Sequence, residues 1–580
     1  MLLTLLNWLY ILFTCYICGF FVLTRLYKGR VSVCGSIFAG IAILTAYSEY
    51  FSLFAGVGLI ANLLLIILCM VFFAADMDRY RKFAESLSSA FLRKGGDRLI
   101  HIITLIISAA VILVCAYFTA SSAFTYDTGT YHAQSIHWIE SYGVVKGLAH
   151  MQTRLGFNNS YFALCALFSF HFLGQSMHAL SGFHAALVMT YSLLGYAGLF
   201  KADDKGKIHF GKLRLSDFVR IGPFAYFVIT AVEITSPSTD YGVIWMILWL
   251  VIRWTECMED DIADKTSVYS LLSVFSVFLV TVKLSVGVLV LITIYPLVFL
   301  IKEKKIKDIV MYILAGLILV LPFFIRNYLI TGWLVYPFPA VDLFDPDWKV
   351  PLDGVRHEAD EIVVWARYTK DTALIDQGIR EWFPVWWKEQ GAGNRLLSSS
   401  AFAGCIVLLV SMLLDLRRTV KERSHIFMGG ILLVSFLFFM FSAPSNRFGY
   451  SYILLIPLYA AGYLCLYVLP VFIKKKQMRV LAGLVLSLLL LSGMLRGLRI
   501  FASDDKNMAL NTGVRDYLIA QKDYPRADAL SEEWEGMTIY YPVNEGEQIW
   551  YHAFPAILYR GNLEGTARRG DSVRDGFLLK

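Results

Sequence analysis

Long apolar runs separated by short basic segments make up most of the chain, and this alternation constrains the fold more than any other feature. Hydrophobic residues account for 57% of the sequence and charged residues for only 17%. A run of about 20 apolar residues matches the hydrocarbon thickness of a bilayer. The sequence therefore predicts an all-α polytopic membrane protein, and the composition excludes the soluble globular classes.

The apolar runs predict about fourteen membrane crossings, because each is close to the length that spans a bilayer. Residues 157–173 are predicted to enter the membrane only part of the way, since the charges of the flanking loops leave room for one crossing between residues 157 and 200. The predicted spans are residues 3–26, 33–49, 52–74, 99–120, 179–200, 217–234, 241–254, 267–282, 285–301, 308–325, 400–416, 425–442, 448–470 and 480–495.

Lys and Arg are concentrated in alternate loops, which the positive-inside rule assigns to the cytoplasm. The other loops then share the outer face, together with the N-terminus. The net charge of +7 follows from these basic loops, so we predict membrane lipids and no nucleic acid as partners. The basic loops are residues 25–30, 79–98, 201–214, 302–307, 417–423 and 474–479.

One outer segment, residues 123–132, places Asp127 and His132 just after the fourth apolar run. Residues 131–142 follow with apolar and aromatic side chains at helical spacing, which predicts a helix lying in the membrane interface. A carboxylate outside a spanning helix and ahead of a surface helix favours a substrate-facing role. The alternative is a solvated loop acid beside an interfacial anchor.

Further charged residues end or begin predicted spans on the same face. Cations at membrane depth are costly unless they are paired or used, so several on one face indicate a bound anion at the headgroup level, for which a lipid phosphate fits. Snorkelling to the interface is the alternative for each cation. The candidates are the cations Lys283, Arg326 and Arg447, the weaker Arg154, the acids Glu233 and Asp240, and His132 as a proton relay or sugar ligand.

Four short motifs occur in a recognisable order: Tyr126-Asp-Thr-Gly-Thr-Tyr-His132, Ser236-Pro-Ser-Thr-Asp240, Thr281-Val-Lys-Leu-Ser285 and residues 322–338, which include Arg326. In their order and spacing, over about residues 99–450, they resemble the GT-C superfamily. These are integral membrane glycosyltransferases that use polyprenyl-phosphate-linked sugars. The whole chain is also similar to a bacterial group of uncharacterised membrane proteins with the same motifs.

The resemblance implies a role for each matching residue. Asp127 corresponds to the first-loop acid that acts as general base or orients the acceptor, and Asp240 to the acid at the outer start of a later helix. Lys283, Arg326 and Arg447 correspond to cations suited to the donor phosphate. The chain departs from many relatives by having one acid in the first loop instead of a pair, so no metal ligand is assigned and dependence on a divalent metal stays open.

The expected function is transfer of a sugar from a polyprenyl-phosphate donor to a glycan, lipid or protein acceptor, outside the bacterial cytoplasmic (inner) membrane. One carboxylate suffices for an inverting displacement, whereas retention needs a second acid as nucleophile. An oligosaccharide polymerase or ligase, or a protein O-glycosylating transferase, is an alternative. A lipid-linked glycan transporter or flippase is another, although we find no sequence repeat to support it.

The predicted organisation is a GT-C-like helical bundle with outer-face loops and a small extracytoplasmic α/β tail. The large loop is rich in Trp, and residues 382–387 are expected to anchor it at the headgroups, the alternative being that they stack on sugar faces. The predicted parts are accessory N-terminal helices with a basic loop (1–98), the catalytic module (99–328), the large outer loop (329–399), the C-terminal helices (400–500) and the tail (501–580).

Overall fold

The computed structural model of the chain describes residues 1–82, 97–202, 208–416, 423–471 and 517–580, with Glu85, Gln477 and Gly483. Within these residues, eleven helices are long and apolar enough to cross a membrane. They are Leu2–Leu26, Val33–Ser52, Arg98–Ser121, Leu215–Glu233, Thr239–Glu259, Lys265–Val282, Leu284–Lys302, Ile306–Thr331, Ala392–Asp415, Ser424–Ser442 and Asn446–Val468. The prediction of a mostly helical, polytopic membrane protein is confirmed. The span predicted at 480–495 lies outside the described residues, apart from Gly483.

Two further apolar helices, Leu59–Ala75 and Ser160–Phe168, are shorter. Ser160–Phe168 has nine residues, which at 1.5 Å per residue reach only about half of the hydrocarbon core. All nine are buried, so the segment is enclosed by the bundle. It agrees with the half-membrane segment predicted there, and Leu180–Ala197 follows it.

The bundle has two polar ends, and loops that the charge rule placed on one side meet at the same end. The helix Thr239–Glu259, with 21 residues, holds the two ends about 30 Å apart. Ion pairs join Asp127 to Arg447 and Asp240 to Lys283 at one end, called here the site face, and Arg25 to Asp76 and Arg214 to Asp260 at the other.

The N-terminal helices, expected to be accessory, are built into the bundle. Phe38 stacks on Trp249, with ring centroids 4.0 Å apart. The Asn7 side-chain amide donates to the Phe168 carbonyl at 2.8 Å, so the first helix also holds the short buried helix. These contacts make the first helices part of the core that supports the site face.

The helix after Asp127 is not a surface helix in the interface, and that prediction is wrong. A π-helical turn, Thr128–His132, leads into the helix Ala133–Ser141, most of which is buried. The C-terminal tail covers it: the Gln134 amide donates to two tail carbonyls at 2.7 and 2.8 Å, and the His137 ring stacks on tail aromatics. Its apolar spacing reflects protein contacts from a segment distant in sequence.

The large loop is shorter than predicted because both flanking helices continue into it. Ile306–Thr331 and Ala392–Leu416 leave residues 332–391 as the loop, with the helices Leu352–Ala366 and Ile379–Glu389 inside it. Trp386 is buried, and its indole N–H donates to the Pro444 carbonyl at 2.5 Å. Trp386 therefore fastens the loop to the protein.

A small C-terminal strand region covers part of the site face. Ala529–Trp534 pairs antiparallel with Met537–Pro542, and Thr566–Arg568 pairs antiparallel with Phe577–Leu579. At the opposite polar end, Phe200–Ala202 and Ile208–Phe210 form another hairpin. The tail is joined to the bundle by backbone hydrogen bonds, among them Phe577 N–H to the Lys146 carbonyl at 2.9 Å.

Candidate functional site

Two loops that carry predicted motifs are hydrogen-bonded to each other on the site face. The backbone N–H of Thr125 donates to the Ser236 hydroxyl at 2.7 Å, and that of Ala123 donates to the Val232 carbonyl at 2.9 Å. These bonds hold the segment around Asp127 against the Ser-Pro-Ser-Thr-Asp turn. The two predicted acids are thereby brought to one place, although Asp127 and Asp240 are 113 positions apart in the sequence.

Asp127 lies where the backbone leaves ordinary helical geometry. The π-helical turn Thr128–His132 begins directly after it. Such turns are rare and occur frequently at functional sites. The Asp127 side chain is 15% exposed, and its Oδ2 lies 2.6 Å from Nη1 of Arg447.

Arg447 is placed against the preference of its own helix. It lies in the first turn of Asn446–Tyr463, where the helix dipole favours an anion and disfavours a cation. Two carboxylates offset this, because its Nε is also 3.7 Å from Oδ2 of Asp240. The Arg447 side chain is 48% exposed, so part of the guanidinium remains open to a ligand.

Asp240 and Lys283 follow the dipole rule. Asp240 is in the first turn of Thr239–Glu259, and Lys283 directly follows the C-terminus of Lys265–Val282 in an extended conformation. The Lys283 ammonium donates to Oδ1 of Asp240 and lies 3.9 Å from the ring centroid of Phe448. We call Asp127, Asp240, Lys283 and Arg447 the ionic cluster.

The protonation states of Asp127 and His132 follow from their burial and from the ion pair between Asp127 and Arg447. Burial alone would raise the pKa of Asp127, but the Arg447 guanidinium holds it below its ordinary value, so the carboxylate is ionised at neutral pH. Burial lowers the pKa of His132 to about 4, so its imidazole is neutral. His132 Nδ1 lies 3.3 Å from the Thr128 hydroxyl, which places this ring inside the π-helical turn.

Glu233 and Arg154 lie beside the cluster and have partners of their own. Glu233 accepts a hydrogen bond at 2.9 Å from the hydroxyl of Tyr241, the residue after Asp240. Arg154 is within 3.7 Å of Glu358 in the large loop, and its charge contributes to the lowered pKa of Asp127. Arg154 can therefore tune the pKa of Asp127 from outside the ionic cluster.

Arg326 is not in the ionic cluster, although the sequence grouped it with the donor cations. Its side chain is 2% exposed and donates to Oδ1 of Asn158 at 2.8 Å and to the hydroxyl of Ser52. A carboxylate oxygen of Glu49, in the second helix, lies 3.9 Å from its Nε. Arg326 therefore lies in the bundle interior, away from the open part of the site face.

Sequence reasoning missed three residues that shape these sites. Glu49 was detectable, because it is the one charged residue in the second apolar run. The Phe448 ring lies under Lys283 and Arg447, and the sequence indicated this contact only through the position of Phe448 directly after Arg447. The amide of Gln548, in the tail, donates to the Tyr126 carbonyl at 2.9 Å. The sequence did not indicate this contact, since only the tertiary fold brings the two residues together.

The ionic cluster offers two carboxylates and two cations, each paired with a group of opposite charge. Among the described residues, no group of three or more His, Cys, Asp or Glu side chains is placed to hold a metal ion. Both acids of the cluster instead face a guanidinium or an ammonium. An anion that enters here would compete with these acids for Arg447 and Lys283.

The fold and the site define a polytopic helical membrane protein with an ionic cluster on one polar face, partly covered by a C-terminal strand region. The chain belongs to the family described as Domain of unknown function (DUF8201), whose model matches residues 1–454. That range includes all four residues of the ionic cluster. No curated protein and no solved structure matches the chain.

Proposed function

We propose that the protein is a glycosyltransferase of the GT-C type, which moves a sugar from a polyprenyl-phosphate-linked donor to an acceptor at the site face with inversion. One observation carries the proposal: Asp127, Asp240, Lys283 and Arg447 come from four separate segments and meet at the polar end of the bundle. A lipid-linked donor presents its phosphate at that depth.

Arg447 and Lys283 are the groups that hold the donor phosphate. A guanidinium forms charge-assisted, often bidentate hydrogen bonds with phosphate oxygens, and the half-exposed Arg447 has donors available for them. Lys283 adds a second positive charge beside Phe448. As the bond from the sugar to the phosphate oxygen breaks, negative charge grows on that oxygen, and both cations stabilise it.

Asp127 is the general base that takes the proton of the acceptor hydroxyl. In the resting protein Arg447 lowers its pKa, which keeps it ionised but a weak base. When the donor phosphate draws Arg447 to itself, Asp127 loses part of that stabilisation and its basicity rises. The acceptor oxygen then forms its bond to the sugar carbon opposite the leaving phosphate, so one carboxylate serves the reaction.

The decisive experiment replaces Asp127 by Asn, which keeps the shape and removes proton acceptance. Turnover should fall by about 10²–10⁴. The assay uses membrane vesicles in which lipid-linked sugars are made from radiolabelled nucleotide sugars, and label in glycan is counted. Asp345→Asn, at a 94% exposed acid of the large loop, is the matched control. Transfer by Asp127→Asn equal to the control would remove Asp127 from catalysis and make Asp240 or Glu233 the next candidate.

The proposal also places the site face outside the bacterial cytoplasmic membrane, since described residues of the basic loops, such as Arg25 and Arg214, lie at the other end. In a Cys405→Ser background, the remaining cysteines are buried. An impermeant maleimide applied to intact cells should label Asp345→Cys and leave Lys304→Cys unlabelled until the membrane is opened. The reverse labelling pattern would show that the site face lies on the cytoplasmic side.

A further inference from the structure

A cavity of about 480 Å³ lies between the tail and the loop that carries Asp127. It is within the size range of small-molecule sites in proteins. Its lining includes Tyr126, Asp528, Asn544, Glu547, Gln548 and Trp550. None of the residues that line it carries a positive charge.

The cavity is attached to the proposed catalytic loop through hydrogen bonds to two backbone carbonyls of that loop. Tyr126, which precedes Asp127, is one wall, and its carbonyl accepts from the Gln548 amide at 2.9 Å. The backbone N–H groups of Ile549 and Trp550 both donate to the Gly129 carbonyl, each at 2.9 Å. A molecule held in the cavity therefore contacts the residue that precedes Asp127, in the same loop.

The lining has the chemistry that binds sugar rings. Tyr126 is 61% exposed and presents an apolar ring with a polar tip, and the Trp550 ring is also part of the wall. Amide and carboxylate groups at Asn544, Gln548 and Glu547 provide hydrogen-bond donors and acceptors for hydroxyl groups. Apolar faces beside closely spaced polar groups suit a saccharide better than a purely apolar ligand.

Trp550 is held in a conformation that its residue type disfavours. Its φ is 60°, in the left-handed region, which costs a non-glycine residue free energy and persists where the surroundings determine the backbone. Here its N–H donates to Gly129 and its carbonyl accepts from Gln134 at 2.7 Å. The result is a fixed indole at the cavity wall, in edge contact with Phe124.

We infer that this cavity is the acceptor subsite and that its occupant is a neutral or amino-bearing oligosaccharide. The inference rests on the proposed glycosyl transfer and names its acceptor class. Asp528 and Glu547 give the cavity a negative potential, which opposes uronate-rich or phosphate-bearing chains. The two subsites thus differ in charge: the donor phosphate meets cations, and the acceptor meets acids and aromatic rings.

The test measures binding of defined oligosaccharides to the full-length protein in nanodiscs without donor. The probes are cellotetraose, maltotetraose, mannotetraose, chitotetraose, a chitosan tetramer and tetragalacturonate, with a Ser/Thr-rich peptide as a competing acceptor class. At least one neutral or amino tetrasaccharide should bind. Tyr126→Ala should weaken that binding at least tenfold, and so should Asp528→Asn with Glu547→Gln when the bound probe is the amino tetrasaccharide.

Matched controls come from exposed residues of the same tail outside the cavity lining. Tyr559→Ala and Glu564→Gln should bind the tetrasaccharide as the unmodified protein does. The double acid variant should also begin to bind tetragalacturonate at low ionic strength, because the repulsion is removed. Circular dichroism of each variant checks that the fold is intact.

The saccharide-binding test can fail or succeed independently of the proposed function. Farnesyl phosphate binding, a probe of the donor side, should be unchanged in Tyr126→Ala and lost in Arg447→Gln. If farnesyl phosphate fails to bind while the tetrasaccharide binds as described, the donor assignment fails and the saccharide site stands. Binding of tetragalacturonate equal to the neutral probes, binding of the peptide alone, or no saccharide binding overturns the inference.

Discussion

Two arginine–carboxylate arrangements in this protein use the same chemical groups at different depths. In the ionic cluster, Arg447 pairs with Asp127 and is 48% exposed. In the bundle interior, Arg326 lies 3.9 Å from Glu49, and the two side chains are 2% and 0% exposed. Arg326 also donates to Asn158 and Ser52, so its guanidinium is engaged within the protein.

The difference in exposure decides what each arginine can do. An arginine that reaches solvent can exchange a carboxylate for an incoming phosphate at little cost, since water solvates the group that is released. A buried arginine cannot, because a released carboxylate in a low-dielectric interior is strongly destabilising. Arg447 is therefore suited to ligand binding, whereas Arg326 is suited to holding the second helix against the bundle.

The largest expected effect tests the interior pair. Arg326→Met leaves the Glu49 carboxylate buried without its guanidinium, and the loss should be about 3–5 kcal/mol of stability. Thermal unfolding in detergent, followed by tryptophan fluorescence, measures it.

A second substitution provides the control for Arg326→Met. Adding Glu49→Gln removes the buried charge and should recover most of the lost stability. If Arg326→Met unfolds like the unmodified protein but no longer binds farnesyl phosphate, the structural role of Arg326 is wrong. Arg326 then belongs with the cations that bind the donor.

The next effect tests the ionic cluster. Arg447→Gln or Lys283→Gln removes one charge-assisted contact with the phosphate, so turnover should fall by about one to three orders of magnitude. Stability should change by about 1 kcal/mol or less for Arg447, because its side chain is half-exposed. Arg380→Gln, at an exposed position of the large loop, is the matched control. Full turnover in the Arg447/Lys283 double variant would leave the phosphate site without support.

The smallest effect concerns Glu140, a buried acid without a nearby arginine or lysine partner among its described contacts. Burial raises its pKa to about 7 from an ordinary 4.5, while it accepts hydrogen bonds from Tyr551 at 2.6 Å and Ser176 at 3.1 Å. His171 lies 3.8 Å away. The pKa of Glu140 is raised while the tail is docked on it. The contribution of Glu140 to tail docking is therefore greatest at low pH and is lost as pH rises through about 7.

The tail should therefore open about tenfold more readily at pH 8 than at pH 6, if Glu140 regains its ordinary pKa on opening. Hydrogen exchange of the amides in residues 549–556, corrected for intrinsic rates, measures the opening. Glu140→Gln should abolish the difference between the two pH values. An unchanged pH dependence in that variant would assign it to His171 or another group.

Much of the site could be predicted from the sequence because its residues occur at span ends. Asp127, Asp240, Lys283 and Arg447 each break or border an apolar run, and the basic loops put those borders at one end. Arg326 obeyed the same rule and was misplaced, because its helix continues to Thr331 and carries the arginine inside the bundle. Helix ends are the least certain feature of such patterns, and one extra turn moves a side chain by about 5 Å.

The amphipathic helix after Asp127 shows a different limit. Its spacing of apolar residues is the same whether a membrane surface or a protein surface covers them. The tail that covers it is more than 400 residues away in sequence, and nothing local indicates that Gln134 meets the Trp550 carbonyl. The same holds for the cavity beside Tyr126, which exists only because the tail docks there.

By itself, the sequence determined the membrane class, the relative sidedness of the loops and the acids and cations available at the site face, because hydrophobic transfer and charge placement act on each segment locally. Tertiary structure alone decided which cation meets which acid, that the N-terminal helices pack into the core, and that the tail covers part of the site face. Pairing, burial and the cavity depend on contacts between distant segments, and their energies exist only once those segments are packed together.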